Sequence, residues 1–322
     1  MGNTGIHQCI VSKNNMSLSF ALFDHMSKIF FKIFVFSCFI YNYSFGQNVI
    51  VTDKDSLGFW SDVMFNSRFP KHRILAAGKV SDLFKRVVEK GSIMASELNS
   101  NIVRLAPEDL SFEMFTWQYE GENNVWNYDG LVRLKSGKVY VLSREQRDYD
   151  RIRFEEFSPE NWYGAVYFHL LPETFGKEDY FMLFGFAQNS RLEKFKIIET
   201  FHIKNDQIIF GSKEFKIKEE NGDEILTNRH VIRYSQQSNC TLTYEPKSKM
   251  IVFDHITKYE TPNQKNVFML VPDGTYEAFN YQSGKWKFDP YLPTTKMEEA
   301  PRERQILDDR PKDLFGNPKR SK

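Results

Sequence analysis

The chain has 322 residues, of which 41% are hydrophobic and 26% charged, and its formal net charge is +1. This composition is typical of a globular protein and excludes the fibrous and intrinsically disordered classes. The near-neutral charge and the lack of a large basic block argue against nucleic acid as a partner. Aromatic residues make up 16% of the chain, chiefly as 30 phenylalanines, which favours β-strands.

The N-terminus has the pattern of a secretory signal peptide. Two lysines after Met26 precede an apolar run at residues 33–40, and small or polar residues follow up to Gly46. This order of a positive, an apolar and a small-residue region directs export. We predict cleavage between Gly46 and Gln47. Translation is expected to start at Met26, because residues 1–25 would place the apolar run too far from the start.

An uncleaved membrane anchor is the alternative interpretation of this segment. Residues 33–52 carry no charge, and a helix that spans a bilayer needs about 20 apolar residues. The second half of that stretch is polar, however, with Asn42, Ser44 and Asn48. The signal peptide is therefore favoured, and contact with a membrane is expected only if the export segment, residues 1–46, stays uncleaved.

Residues 47–100 are predicted to form a helical segment that packs on a following β domain. Asp55 or Ser56 can cap a short first helix. Pro70 suits the first turn of a second helix, whose apolar residues recur at helical spacing until Gly91 ends it.

Residues 101–292 are predicted to form an antiparallel β domain, so the fold class is mainly β with an N-terminal pair of helices. Tight turns at 135–138, 204–207, 272–274 and 282–285 separate short apolar runs and imply a meander. About a dozen strands are too many for one flat sheet, so a curled sheet, a sandwich or a barrel is expected. The predicted strands lie near 111–119, 130–134, 139–143, 151–157, 163–171, 180–187, 194–203, 208–218, 229–235, 240–244, 249–256, 266–271, 275–281 and 285–288. Residues 293–322 are charged and rich in proline, which predicts a disordered tail.

Sequence motifs of common catalytic and cofactor centres are absent. The chain has no GxSxG, Walker A, GxGxxG, HExxH or CxxC motif, and no histidines have the spacing of a zinc pair. We therefore predict no metal and no cofactor. Asp254 and His255 would point to opposite faces of one strand, so His255 is interpreted as structural. Cys240 is interpreted as a small buried apolar residue.

Aromatic residues on or near the first predicted strands are the candidates for partner binding. The candidates are Trp117, Tyr119, Trp126, Tyr128 and Trp162. Exposed tryptophan and tyrosine can stack on sugars or anchor a protein partner. The alternative is that these rings fill the core of a phenylalanine-rich β domain, and their size favours that alternative.

Four segments of the chain resemble one known family. They are DVMFNSRFPKHRILAA at 62–77, EMFTWQY at 113–119, the run from MLFGFAQNS at 182–211, and MIVFDHI with VPDGTYEAF and SGKW at 250–286. In order and spacing they are similar to an uncharacterised family of predicted secreted proteins of Bacteroidota-type bacteria, which has no assigned activity. The resemblance implies export to the periplasm, the outer membrane surface or the medium, and it supplies no functional residues.

The sequence thus favours an exported, non-enzymatic cell-envelope protein that binds a protein or glycan partner. A hydrolase of envelope or dietary polymers, with carboxylates from separate strands, is one alternative. A purely structural envelope component is the other.

Overall fold

The structure is a computed structural model and describes residues 52–293 apart from a few short stretches. The stretches left out are 92, 94–97, 146, 150, 172–173, 176–179, 189–190, 219–221 and 261–267. The predicted export segment and the predicted tail beyond residue 293 lie outside the described residues, so both stay predictions. From Asp53 onward, the described helices and strands belong to one compact unit.

Two helices open the described part of the chain, as predicted. The first, α1 (Asp53–Asn66), has acidic side chains in its first turn, where the helix dipole favours negative charge. The second, α2 (Pro70–Glu89), starts at a proline, which has no N–H group to leave unpaired there. Its buried residues recur every three or four positions from Ala76 to Val88. One face of α2 therefore packs on the first sheet.

Fifteen strands follow in the described residues, which confirms the mainly β fold class. In chain order they are β1 (Val103–Leu105), β2 (Phe112–Glu120), β3 (Trp126–Leu134), β4 (Val139–Leu142), β5 (Val166–Leu170), β6 (Phe181–Gln188), β7 (Glu193–Lys204), β8 (Gln207–Phe210), β9 (Phe215–Lys218), β10 (Glu224–Thr227), β11 (Arg229–Ser235), β12 (Leu242–Glu245), β13 (Met250–Glu260), β14 (Phe268–Gln282) and β15 (Lys285–Leu292). Strands β1 and β10 were not predicted, because runs of three and four residues are too short to show a period.

The strands form three sheets. The first has the order β1-β2-β3-β4, the second has the order β11-β7-β6-β5 with β8 beside β7, and the third has the order β10-β9-β15-β14-β13-β12. The predicted antiparallel meander holds for most neighbours. The exception among the described strands is the parallel pair of β9 and β15, in which Phe215 lies opposite Trp286.

Three apolar layers join the helices and the sheets. Phe84 of α2 contacts Trp117 of β2, with ring centroids 5.5 Å apart. Phe112 of the first sheet contacts Phe201 of the second, with centroids 4.8 Å apart. The second and third sheets meet around Phe279. The second sheet is therefore covered on both faces, which explains why β6 is a nearly continuous apolar run.

Two predicted strands differ from the structure near the edges of the second sheet. Residues 151–157 are not a strand, and they contain a single 3-10 turn at Ile152–Phe154. The reason is that the Arg229 guanidinium binds the backbone oxygens of Ile152 and Glu155. The predicted strand 208–218 is divided at Gly211, where φ is +87°, and its two halves belong to different sheets.

The predicted turn at 272–274 lies inside β14. Pro272 pairs with Ile256 of β13, and the register between these strands shifts between Asp254 and Ile256. This register shift is a β-bulge, which adds extra residues to one strand of a pair without ending that strand. The described part of the predicted strand 266–271 and the predicted strand 275–281 therefore belong to one long strand.

Candidate functional site

The five aromatic candidates fall into two groups. Trp117, Tyr128 and Trp162 are at most 1% exposed, because α2 and the second sheet cover the parts of the fold in which they lie. These three are core residues and are not available to a partner. Tyr119 and Trp126 are partly exposed, and both line one cleft.

This cleft, which we name the aromatic cleft, has a volume of about 510 Å³ and opens where the first sheet is incomplete. Strand β1 has only three residues, and its pairing with β2 reaches no further than Val103 opposite Thr116. Among the described strands, β2 therefore continues to Glu120 without a neighbour on that side. Residues of both helices and of β5 and β6 form the other walls.

A tight loop places Trp126 in the cleft. The Gly121 N–H donates to the Val125 carbonyl oxygen at 2.8 Å. Asn123 and Asn124 adopt φ values of 53° and 58°, and asparagine is one of the residues that tolerate this left-handed region. Trp126 then begins β3 opposite the last residue of β2, so its ring lies at the open end of the sheet.

Charged groups at the cleft are paired with one another. Arg73 Nη2 lies 3.6 Å from Glu120 Oε2, and Arg73 Nη1 donates to the Ser67 carbonyl oxygen at 2.8 Å. Arg191 Nη2 donates to Glu120 Oε1 at 3.0 Å. Two arginines from distant segments therefore hold the Glu120 carboxylate. The sequence shows no signal for this arrangement, because the three side chains come from three different elements.

Gln118 lines the cleft with a side-chain oxygen that has no hydrogen-bond partner among the described residues. This atom, Oε1, is buried. A buried acceptor without a donor costs about 1–3 kcal/mol. A bound molecule that presents an O–H or N–H group to Oε1 would remove this cost.

The Tyr119 hydroxyl remains protonated at physiological pH. Burial, and secondly the charge of Asp129, raise the pKa of Tyr119 above its ordinary value. Tyr119 can therefore donate a hydrogen bond as well as accept one. Burial also raises the pKa of Asp129 to about 6, and the positive charge of Arg144 opposes part of that rise.

A second group of aromatic and charged side chains is fully buried, and we name it the buried ion-pair cluster. The Glu199 carboxylate accepts hydrogen bonds from the hydroxyls of Tyr163 and Tyr167, and Arg229 Nε donates to Glu199 Oε2 at 2.9 Å. Trp162 Nε1 donates to the Tyr167 hydroxyl at 3.1 Å. Glu199 and Arg229 are both 0% exposed, so solvent and ligands have no access to the cluster.

Arg229 also joins three chain segments. Its Nη1 donates to the backbone oxygens of Ile152 and Glu155, and its Nη2 donates to that of Phe210 at 3.0 Å. Gly211 leaves room for the guanidinium, because a Cβ atom there would lie 2.4 Å from Arg229 Nη2. The buried ion-pair cluster is therefore structural and fixes the loops around the second sheet.

Asp254 and His255 have separate partners among the described residues. Asp254 Oδ2 accepts a hydrogen bond from the Thr241 N–H at 2.7 Å. His255 Nδ1 lies 2.8 Å from Asp273 Oδ2 on the exposed face of the third sheet. Hydrogen bonds from Thr275, and then the interaction with His255, lower the pKa of Asp273 to about 2.

Cys240 has the environment of a structural residue. It is buried, and burial, followed by the negative charge of Asp254, raises the pKa of its thiol to about 12. The reactive form of cysteine is the thiolate, which this environment disfavours. The interpretation of Cys240 as a small buried apolar residue is confirmed.

Neither a metal centre nor a relative identifies the function. In the part of the chain that the structure describes, no three histidine, cysteine, aspartate or glutamate side chains are arranged to hold a metal ion. No helix in that part combines the length and the apolar character needed to cross a membrane. Comparison of the chain with protein-family models, curated proteins and solved structures gives no match. The function is therefore argued from the geometry of the clefts.

Proposed function

We propose that the chain is an exported cell-envelope protein that binds a glycan in the aromatic cleft. The observation that carries the proposal is the partly exposed ring of Trp126, which lies on the same face of the first sheet as Gln118, whose Oε1 is unpaired. Tyr119 lines the cleft from the opposite face. A sugar ring has an apolar face of C–H groups and an edge of hydroxyls. The Trp126 ring matches the face, and the Gln118 amide and the Tyr119 phenol match the hydroxyls. The cleft volume lies in the range of about 300–1,000 Å³ that is usual for ligand sites.

The charge pattern favours a neutral ligand. Among the described residues that line the cleft, Arg73 and Glu120 are the charged ones and pair with each other, so the cleft presents hydrogen-bonding groups and little net charge. A protein partner normally needs an interface of about 800 Å² on each side, whereas this site is small and concave. These features support a glycan over a protein partner.

The hydrolase alternative has weaker support at this cleft. Glycoside hydrolysis uses two carboxyl groups on opposite sides of the scissile bond. Glu120 is the one carboxylate among the described residues that line the aromatic cleft, and two arginines bind it. We therefore propose that this cleft binds its ligand without cleaving it.

Glycan binding by the mature chain, residues 47–322, tests the proposal. A panel of neutral oligosaccharides is screened on an array, and the best ligand is measured by isothermal titration calorimetry. Trp126→Ala is expected to weaken binding by at least about tenfold, because it removes the stacking surface. Tyr291→Ala is the matched control, since Tyr291 is 64% exposed and lies outside the cleft.

Three outcomes would contradict the proposal. If no glycan binds, the purely structural alternative is favoured. If Trp126→Ala and the control lower affinity equally, the aromatic cleft is not the binding site. Capture of a purified envelope protein that depends on Trp126 would favour a protein partner over a glycan.

Export to the cell envelope is the second half of the proposal. It is supported by the signal-peptide pattern that starts at Met26 and by the resemblance to secreted proteins. When the full chain is made in a diderm bacterium, we expect a mature protein that begins at Gln47 in the periplasmic or extracellular fraction. Intact-mass spectrometry of each fraction measures this. An uncleaved chain in the membrane fraction would favour the anchor, and an uncleaved chain in the cytoplasm would exclude export.

A further inference from the structure

A second cleft, of about 420 Å³, lies beside the hairpin of β7 and β8 and contains a serine–histidine pair. His202 Nε2 lies 2.9 Å from Ser212 Oγ, and Thr200 Oγ1 lies 2.9 Å from the same oxygen. Glu156 lines this cleft as well. We name it the serine cleft. Among the described residues, it shares no lining residue with the aromatic cleft.

Rigid parts of the fold position both side chains. His202 lies near the end of β7, and its ring packs against Tyr180 with centroids 5.4 Å apart. Ser212 directly follows Gly211, whose φ of +87° makes a sharp turn. Behind that turn lies Arg229, which leaves no space for a side chain at Gly211. The buried ion-pair cluster therefore fixes the backbone that presents the serine, as a precise reactive site requires.

The surroundings of Ser212 match the needs of acyl transfer. Ser212 lines the cleft together with Gly211, and a backbone N–H group beside a nucleophile is the type of donor that stabilises the oxyanion of a tetrahedral intermediate. Ile203 and Ile209 add apolar walls to the cleft, and these suit a short acyl chain.

We propose that Ser212 is a nucleophile that hydrolyses short-chain carboxylic esters, with His202 as its general base. Ser212 Oγ bonds to the ester carbonyl carbon while its proton passes to His202 Nε2. The ester C–O bond then breaks, and the alcohol leaves with that proton. Water attacks the acyl carbon and gives a proton to His202, the bond to Oγ breaks, and the proton returns to Ser212 as the carboxylic acid leaves. This activity is independent of glycan binding in the aromatic cleft.

Labelling of the wild-type full chain with a fluorophosphonate is the first test. An activated serine displaces fluoride from phosphorus and forms a stable adduct. Peptide mass spectrometry is expected to locate the adduct on Ser212, and this measurement needs no variant to fold. If no adduct forms at Ser212 at any pH from about 5 to about 8, the range in which imidazole changes charge, the proposal is overturned.

Variants then separate a catalytic pair from a structural hydrogen bond. Ser212→Ala is expected to lose the adduct, while Ser136→Ala, at an exposed turn, keeps it. His202→Gln can still bind Ser212 but cannot accept its proton. It is expected to slow labelling and p-nitrophenyl acetate hydrolysis by about 10²–10⁴-fold.

The pH profile is the readout that a structural role would not change. Glu156 and Lys204 line the cleft with His202, and a rate that uses a histidine as general base depends on pH. His202→Gln is expected to abolish this dependence. A glutamine variant that reacts as fast as the wild type, or with the same pH profile, overturns the proposal.

Discussion

The aromatic cleft and the buried ion-pair cluster consist of the same kinds of side chain but are suited to different roles. Each has tyrosine and tryptophan around a carboxylate that binds arginine. In the buried ion-pair cluster, the polar atoms of Glu199 and Arg229 and of the rings that contact them have partners, and no member is more than 1% exposed. In the cleft, Gln118 Oε1 has no partner and the Tyr119 and Trp126 rings are partly exposed. The completeness of the hydrogen bonding, rather than the residue types, separates a structural network from a candidate ligand site.

Arg229→Met is expected to have the largest effect on stability. It leaves the Glu199 carboxylate buried without a counter-ion and removes the donors of three backbone oxygens, so we expect a loss of about 3–5 kcal/mol in the free energy of unfolding. Urea unfolding measures it. The control is Arg233→Met on the same strand, where the ion pair with Glu193 is exposed and the expected loss is below about 1 kcal/mol. Equal losses would show that the buried ion pair has no special role.

Asp129→Asn is expected to have a smaller effect that depends on pH. The pKa of Asp129 is about 6 in the folded protein and about 3.9 in an unfolded chain. The folded state therefore holds the proton more tightly, and the wild-type free energy of unfolding falls as pH rises from about 4 to about 6. The asparagine variant lacks this fall, so it is expected to be more stable by about 1–2 kcal/mol above pH 6 and to match the wild type near pH 4.

Urea unfolding at both pH values measures the effect of Asp129→Asn. Asp82→Asn is the control, because Asp82 is exposed on α2. A variant whose stability follows the wild-type pH profile would show that Asp129 ionises freely. The environment of Asp129 would then be close to that of an exposed carboxylate.

Gln118→Met is expected to have the smallest effect on stability and an opposite effect on binding. It removes the unpaired oxygen while it preserves the length of the side chain, so stability is expected to rise by about 1 kcal/mol. Glycan affinity is expected to fall, because a donor on the ligand loses its acceptor. Unfolding and calorimetry on the same preparation measure both changes. If Gln118→Met lowers the free energy of unfolding and leaves the glycan affinity unchanged, Gln118 has a structural role and does not bind the ligand.

The arrangement of helices and strands could be predicted because each element carries a local period. The stripe of α2 and the apolar runs of the long strands are visible in the sequence, as are the turns at 135–138 and 282–285. The 3-10 turn at Ile152–Phe154 was missed because its geometry depends on Arg229, which lies far along the chain. Local patterns do not contain that information.

The sequence favours burial of the large aromatic rings, which Trp117, Tyr128 and Trp162 confirm, but it does not show which rings stay partly exposed, for the same reason. Phe115, Trp117 and Tyr119 lie on one face of β2, and the alternation of the strand does not distinguish them. The first two pack against Phe84 of α2, and the third lies beyond this contact at the cleft. Likewise, Glu199 meets Arg229 because the register of two strands places them directly opposite each other.

The third sheet is expected to form late in folding, because its parallel pair joins β9 to β15, which lies far along the chain. β15 lies between β9 and β14 in the middle of the third sheet, and Trp286 is fully buried with its Nε1 donating to the Tyr180 hydroxyl at 3.0 Å. A chain that is synthesised from its N-terminus thus lacks the central strand of this sheet until residues 285–292 have been made. Pairing between segments so distant in sequence forms slowly. The strand order is therefore expected to make completion of the third sheet, and burial of Trp286, a late step of folding.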